Sequence, residues 1–289
     1  MPGLSDDAHV DALVAQFIDS LRRVEFAHHI RDAQLSASRA DPSTELFDPL
    51  RAAVLHNRGG RVDEAWWLVF LATHFGKHHI DGWRLVRDIY GRLGAGGLWD
   101  WTSISEQPAA FQVWLAANEA TLRGGDGQTR RFSNHRKYES LRAGSAKGTA
   151  NVIATYVDWV SPPRGHVDLV REIHAEVGQD PEAVFAALYS SMAVVSRFGR
   201  LGRFDFLAML GKLGIAPVSP GSTYLANATG PLAGARLLFG GATNAAIAAS
   251  SLETRLVSFG QATGLGSQVL EDAICNWQKS PDRHVRFRG

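Results

Sequence analysis

The segment 196–214, SRFGRLGRFDFLAMLGKLG, repeats in threes: Arg197, Arg200 and Arg203 take the first slot, Phe198, Leu201 and Phe204 the second, and Gly199, Gly202 and Asp205 the third. Arginine forks onto an anion and glycine lets the backbone approach it, so the pattern suits nucleic-acid phosphates. Two glycines three residues apart cost a helix about 1 kcal/mol each relative to alanine, which favours a tight or 3₁₀-like run with a helix starting after it. Asp205, where the repeat breaks, reads in two ways. It N-caps the helix FLAMLGKLG. Alternatively, with neighbouring arginines favouring its ionised form, it faces a sugar oxocarbenium ion or orients a water while an N-glycosidic bond breaks. Glu253, in SSLETRLVSFG, is the competing carboxylate.

Other candidates are fewer. His74, Lys77 and His78 have the spacing of one helical face, and His74 with His78 the nominal spacing of a metal pair. There is no HExxH motif and no third ligand, so no metal and no cofactor are expected, and His74 also reads as a core histidine. Residues 130–148, RRFSNHRKYESLRAGSAKG, hold six Lys and Arg against one Glu, with Phe132 and Tyr138 interleaved. Asn134, His135, Arg136 and Lys137 are accordingly assigned to DNA, and Tyr138, Trp83 and Trp99 to a stacking wall for an extruded base. In 224–241, YLANATGPLAGARLLFGG, Gly230 and Pro231 open a helix whose free N–H groups suit a phosphate, with Arg236 one turn on.

These candidates sit in an ordinary globular chain of 289 residues, 45% hydrophobic and 20% charged, with a formal net charge of +1. That excludes a disordered protein, and the longest apolar run, 65–72, is far short of the ~20 residues that cross a bilayer. The acidic start MPGLSDDAHVD and the single cysteine, Cys275, point to a cytoplasmic protein with one structural thiol. Apolar spacings of three and four recur from Val10 to Leu21, over Val62–Phe75, 80–93, 108–122, 151–160, 167–177, 181–195 and beyond, and no stretch sustains alternation. The chain is therefore expected to be all-α, one domain over 1–289, with Pro162-Pro163 the best candidate for a lobe boundary near 161–165. A basic tail, Lys279, Arg283, Arg286 and Arg288, follows the last helix.

Four stretches, HFGK at 74–77, NHRKYESL at 134–141, FGRLGRFDFL at 198–207 and ATGPLAGARLLFGG at 228–241, resemble the α-glutamyl/putrescinyl thymine pyrophosphorylases of bacteria and phages, over about 62–260. The resemblance implies a helix-hairpin-helix DNA glycosylase-like fold of two closely packed helical lobes. It also implies removal of hypermodified, 5-hydroxymethylpyrimidine-derived bases, glycosylated ones included, from double-stranded DNA in defence against phages. In the wider fold an acidic residue follows the hairpin by about twenty residues, which selects Glu253; the FGRLGRFDF motif ranks Asp205 above it. No lysine lies in the 230–236 turn, so the expected enzyme is a monofunctional DNA N-glycosylase working by hydrolysis, without a membrane or an obligatory protein partner. Two rivals stand beside it: a non-catalytic reader of modified or damaged DNA, and a hydrolase of free nucleotides.

Overall fold

The computed structural model describes residues 1–286, and among them the regular structure is helical, with no strand beyond a single bridge between His78 and Gly82. The helices are α1 (Asp7–Asp32), α2 (Pro49–Arg58), α3 (Val62–Phe75), α4 (Arg84–Tyr90), α5 (Trp101–Glu106), α6 (Pro108–Ala120), α7 (Thr149–Val160), α8 (His166–Val177), α9 (Pro181–Ser191), α10 (Arg200–Lys212), α11 (Gly230–Gly240), α12 (Ala249–Thr263) and α13 (Ser267–Trp277). The all-α expectation holds. Local chemistry sets many boundaries: the side chains of Asp6, Asp48, Asp100 and Asp180 accept N–H bonds at the starts of α1, α2, α5 and α9. Proline opens α2, α6, α9 and α11 within the first two positions, where its missing N–H is harmless.

The apolar run of α3 explains the architecture. Trp66 to Leu71 are each at most 1% exposed, so this helix is buried on all sides and the others wrap it. Its Phe70 stacks on Tyr156 of α7 at 3.7 Å and on Phe198 at 4.7 Å. The larger core runs from Ala27 to Val218. A smaller one joins Ala12 and Leu13 of α1 to residues of α11, α12 and α13, including Leu237, Leu256 and Trp277. The turn at 161–165 is not a gap in this packing. Val160 before it and Leu169 after it lie in the same core, and Asp63 of α3 accepts bonds from the backbone N (2.6 Å) and Nδ1 (2.7 Å) of His166. The smaller core pairs the start of α1 with the C-terminal helices. α1 spans both, since its Ala27 and Ile30 belong to the larger.

Two expectations about the arginine repeat are corrected. Its second half is helix, because α10 begins at Arg200 with Gly199 as N-cap. Asp205 thus lies inside α10 and caps nothing.

Candidate functional site

The site is built where three of the sequence motifs interlock. Gly76 ends α3 with φ of +67°, and a Cβ there would stand 2.0 Å from Ser133 Oγ, so a side chain would keep the 133–136 segment from closing. Closure is fixed by Ser133 N donating to Phe75 O at 2.9 Å. Arg136, 8% exposed, then threads past Gly76 and Gly202, its Nη1 only 3.2 Å from where a Gly202 Cβ would be. The guanidinium lies 5.8 Å from the Phe198 ring centroid and ends 3.5 Å from Asp205 Oδ2. The helix penalty of Gly202 is the cost of admitting this cation.

Asp205 and Arg136 face a cavity of about 380 Å³ between the two cores. α1 supplies Ser20 and Arg23, the loop after α3 supplies Lys77 and Trp83, α10 adds Lys212, α13 adds Glu271 and Asp272, and Lys279 follows just beyond the end of α13. Lys77 Nζ sits 6.0 Å from the centroid of the Trp83 ring, and the Trp83 Nε1–H is buried without a partner among the described residues. Of the three carboxylates, two are tied into the wall. Glu271 accepts from Arg200 at 2.5 Å, and Asp272 accepts from Ser20 (2.6 Å), Arg23 (2.8 Å from Nε) and Asn276 (2.9 Å), fastening α1 to α13. Asp205 meets Arg136 at ion-pair rather than hydrogen-bond geometry and lines the cavity.

Electrostatics follow from this concavity. Asp205 lines the cavity with 44% of its side chain exposed, and the protein packed around it raises its pKa above the ordinary 3.8 against the pull of Arg136, Lys212 and His135. The sequence expectation that neighbouring arginines keep it acidic is reversed, because desolvation outweighs them, and of the repeat only Arg200 still pulls the pKa down. Lys212, two helical turns on, is lowered by the same desolvation, with Asp205 and Asp272 opposing. Burial pushes Glu271 up to about 7 and Cys275 up to about 11, which leaves Cys275 a thiol.

Of the candidates read from the sequence, Lys77, Trp83, His135, Arg136 and Asp205 come together in the cavity wall. The others stand apart. Glu253 accepts from Thr223 N (2.5 Å), Thr223 Oγ1 (2.6 Å) and Leu225 N (2.7 Å), organising the loop before α11. His74 is 1% exposed, bonds Thr149 Oγ1 at 3.0 Å, and is held neutral by burial with its pKa near 3. His78 lies beyond the helix end, and its Nδ1 accepts from Ile80 N and Asp81 N, so no helical His74–Lys77–His78 face exists. Among the described residues no group of three or more His, Cys, Asp or Glu could hold one ion.

The DNA-facing assignments change most. Arg197 pairs with Glu139 at 3.1 Å, Arg200 with Glu271, and Arg203 donates to Tyr189 O at 2.8 Å while stacking 4.2 Å from the Tyr189 ring. These cations hold the fold, as do Arg130, on Asp88 and Asp126, and Arg131, on Asp81. Gly230 serves helix packing: a Cβ there would lie 2.6 Å from Cys275 Sγ, and one at Gly234 only 2.2 Å from Ile274 O. Arg236 is partly buried on α11 and Trp99 is 4% exposed under Arg92, both outside the cavity wall. Asn134, Lys137 and Tyr138 stay on the surface beside the cavity, Tyr138 78% exposed with Lys137 Nζ 5.2 Å from its ring. Arg288 of the basic tail lies outside the described residues.

The sequence reading missed Arg23, Lys212, Glu271 and Asp272. The seven-residue spacing of Asp205 and Lys212, two turns of one helix face, was the signal for Lys212; the pairing of Arg23 with Asp272, 249 residues apart, had none. No helix is long and apolar enough to cross a membrane among the described residues. Neither the curated proteins nor the solved structures compared with the chain include a match. A family model described as alpha-glutamyl/putrescinyl thymine pyrophosphorylase clade 3 matches residues 8–289, nearly the whole chain, and the protein belongs to that family.

Proposed function

We propose that this protein is an enzyme acting on modified thymine in double-stranded DNA, with the cavity as the pocket for an extruded base. The observation that carries the reading is the meeting of one half-open carboxylate, Asp205, with Arg136, Lys77 and Lys212 beside the Trp83 indole in a space of about 380 Å³. An indole wall offsets the few kcal/mol needed to unstack a base. The exposed Lys137 and Tyr138 offer a cation and a stacking ring next to the mouth.

The family's name specifies pyrophosphorylase chemistry on thymine bearing a glutamyl or putrescinyl group. At the thymine 5-methylene that is an exchange: the carbon–nitrogen bond to the amine and the carbon–oxygen bond to pyrophosphate replace one another. Asp205 takes the proton from the attacking amine, or returns it in reverse, which a carboxylate with a raised pKa does more readily near neutrality. Lys77, at the edge of this cavity, meets the negative charge of the departing pyrophosphate.

A second reading, excision of the modified pyrimidine by hydrolysis of its N-glycosidic bond in anti-phage defence, uses the same carboxylate. The 44% exposure of Asp205 to the cavity leaves room for a water and for the developing sugar cation. One experiment separates the two. Duplexes carrying α-glutamylthymine, putrescinylthymine or 5-hydroxymethyluracil are incubated with the protein, with and without pyrophosphate, and products are identified by mass spectrometry. Pyrophosphate-dependent release of glutamate or putrescine is the expected result. Free base and an abasic site without pyrophosphate select the hydrolase. Tight binding with no product from any duplex refutes both and leaves a reader of modified DNA.

A further inference from the structure

A second cavity, of about 360 Å³, shares two wall residues, Lys77 and Trp83, with the first. Its character differs. Five cations line it, Arg39, Arg51, Lys77, Arg84 and Arg87, against three carboxylates, Glu45, Asp48 and Asp81. The carboxylates are occupied. Glu45 pairs with Arg87, Asp48 caps α2 and pairs with Arg51, and Asp81 is gripped by Arg131 through two bonds of 2.8 Å and by Thr129. Arg39 donates one bond to Leu46 O, and Arg84 one of 3.3 Å to Thr129 O. Among the described residues, neither these two arginines nor Lys77 has a carboxylate within ion-pair reach. Three cations without an ion-pair partner, only Arg84 feeling Glu45 at longer range, raise the local potential for an anion in this concavity.

We propose that the second cavity is a phosphate subsite of the same active site, with a substrate that spans both cavities across the Trp83–Lys77 wall. It rests on the reading of the first cavity as a base pocket, and specifies the rest of the substrate: a diphosphate, or a phosphodiester of the strand carrying the base. Guanidinium forks from Arg39 and Arg84 bind the oxygens, and Lys77, at the shared wall, touches base and phosphate sides alike. Arg51 and Arg87, already paired, frame the opening.

The test is calorimetric titration of the full chain with inorganic pyrophosphate, then with an unmodified duplex at several salt concentrations. The double variant Arg39→Ala/Arg84→Ala is expected to weaken pyrophosphate binding about tenfold or more, and Arg39→Lys/Arg84→Lys to recover part of that loss, because the charge is kept and the fork geometry is not. Arg136→Gln, in the first cavity, leaves it within about threefold. Competition between pyrophosphate and duplex identifies the occupant as a backbone phosphate; simultaneous binding identifies a diphosphate. The proposal is overturned if the double alanine variant, with unchanged Tm, binds both ligands as the parent does, or if pyrophosphate binding is lost in Arg136→Gln instead. Failure of the base-pocket reading shows separately, as equal affinity for modified and unmodified duplexes, because pyrophosphate titration involves no base.

Discussion

Replacing Asp205 by asparagine separates a reacting carboxylate from a structural one. At 3.5 Å and an effective dielectric of about 20, the attraction between Asp205 and Arg136 is about 5 kcal/mol before solvation is counted. Desolvation of the carboxylate outweighs that attraction and its lesser partners, because the pKa of Asp205 lies above 3.8, not below it. A carboxyl with a raised folded-state pKa contributes stability that is fully present below pH 3.8 and lost as pH rises through the folded value. At pH 7 the ionised group is therefore a net cost to the fold, and a neutral amide of the same shape removes that cost. Asp205→Asn should leave the Tm unchanged or raise it by up to about 2 °C, since about 1 kcal/mol moves a chain of this size by only a few degrees. Turnover of modified duplex should fall about 10²-fold or more, about 2.7 kcal/mol of transition-state stabilisation. Differential scanning calorimetry and a single-turnover assay on the same preparation measure both. Full turnover in the variant, or a Tm lowered by 8 °C or so, would refute the reasoning.

Arg136→Gln removes a cation that holds down the Asp205 pKa, so the acidic limb of the pH–rate profile should move to higher pH while the maximum rate falls; an unmoved limb dissociates the pair. Gly202→Ala places a methyl 3.2 Å from Arg136 Nη1, and is expected to lower activity as Arg136→Gln does, with almost no change in Tm. Glu253→Gln puts an N–H against one of the three donors the carboxylate now satisfies, so a loss of about 1–3 kcal/mol in urea unfolding is expected, with kcat nearly intact in the folded fraction. Gly234→Ala, whose methyl would lie 2.2 Å from Ile274 O, should cost at least about 1–3 kcal/mol by forcing α11 off α13.

The helices were legible because periodicity and caps are local. α3 begins and ends where its apolar spacing and Gly76 say, and Pro231 opens α11 as its fixed φ requires. The failures share a cause. Gly199 and Gly202 read as helix breakers, yet one is the N-cap of α10 and the other makes room for Arg136, a contact across 66 residues that overrides intrinsic propensity. The arginines of the repeat read as phosphate ligands because a sequence does not show that Glu139, Glu271 and Tyr189 already meet them. At the site, Asp205, Arg136, Lys77 and Trp83 were found from residue chemistry and motif. The α1 and α13 walls were not, since they face the cavity only through long-range packing.

The fastening of α1 to α13 has a consequence for the order in which the protein comes into being. Ser20 and Arg23 leave the ribosome well before their partner Asp272, which follows 252 residues after Ser20. The larger core can assemble while synthesis continues, but the first half of α1 has no apolar surface to rest on until α11, α12 and α13 emerge. The cavity is thus closed by a helix made after the rest of its wall, and a nascent chain stalled before α13 carries Asp205 and Arg136 without the enclosure that tunes them.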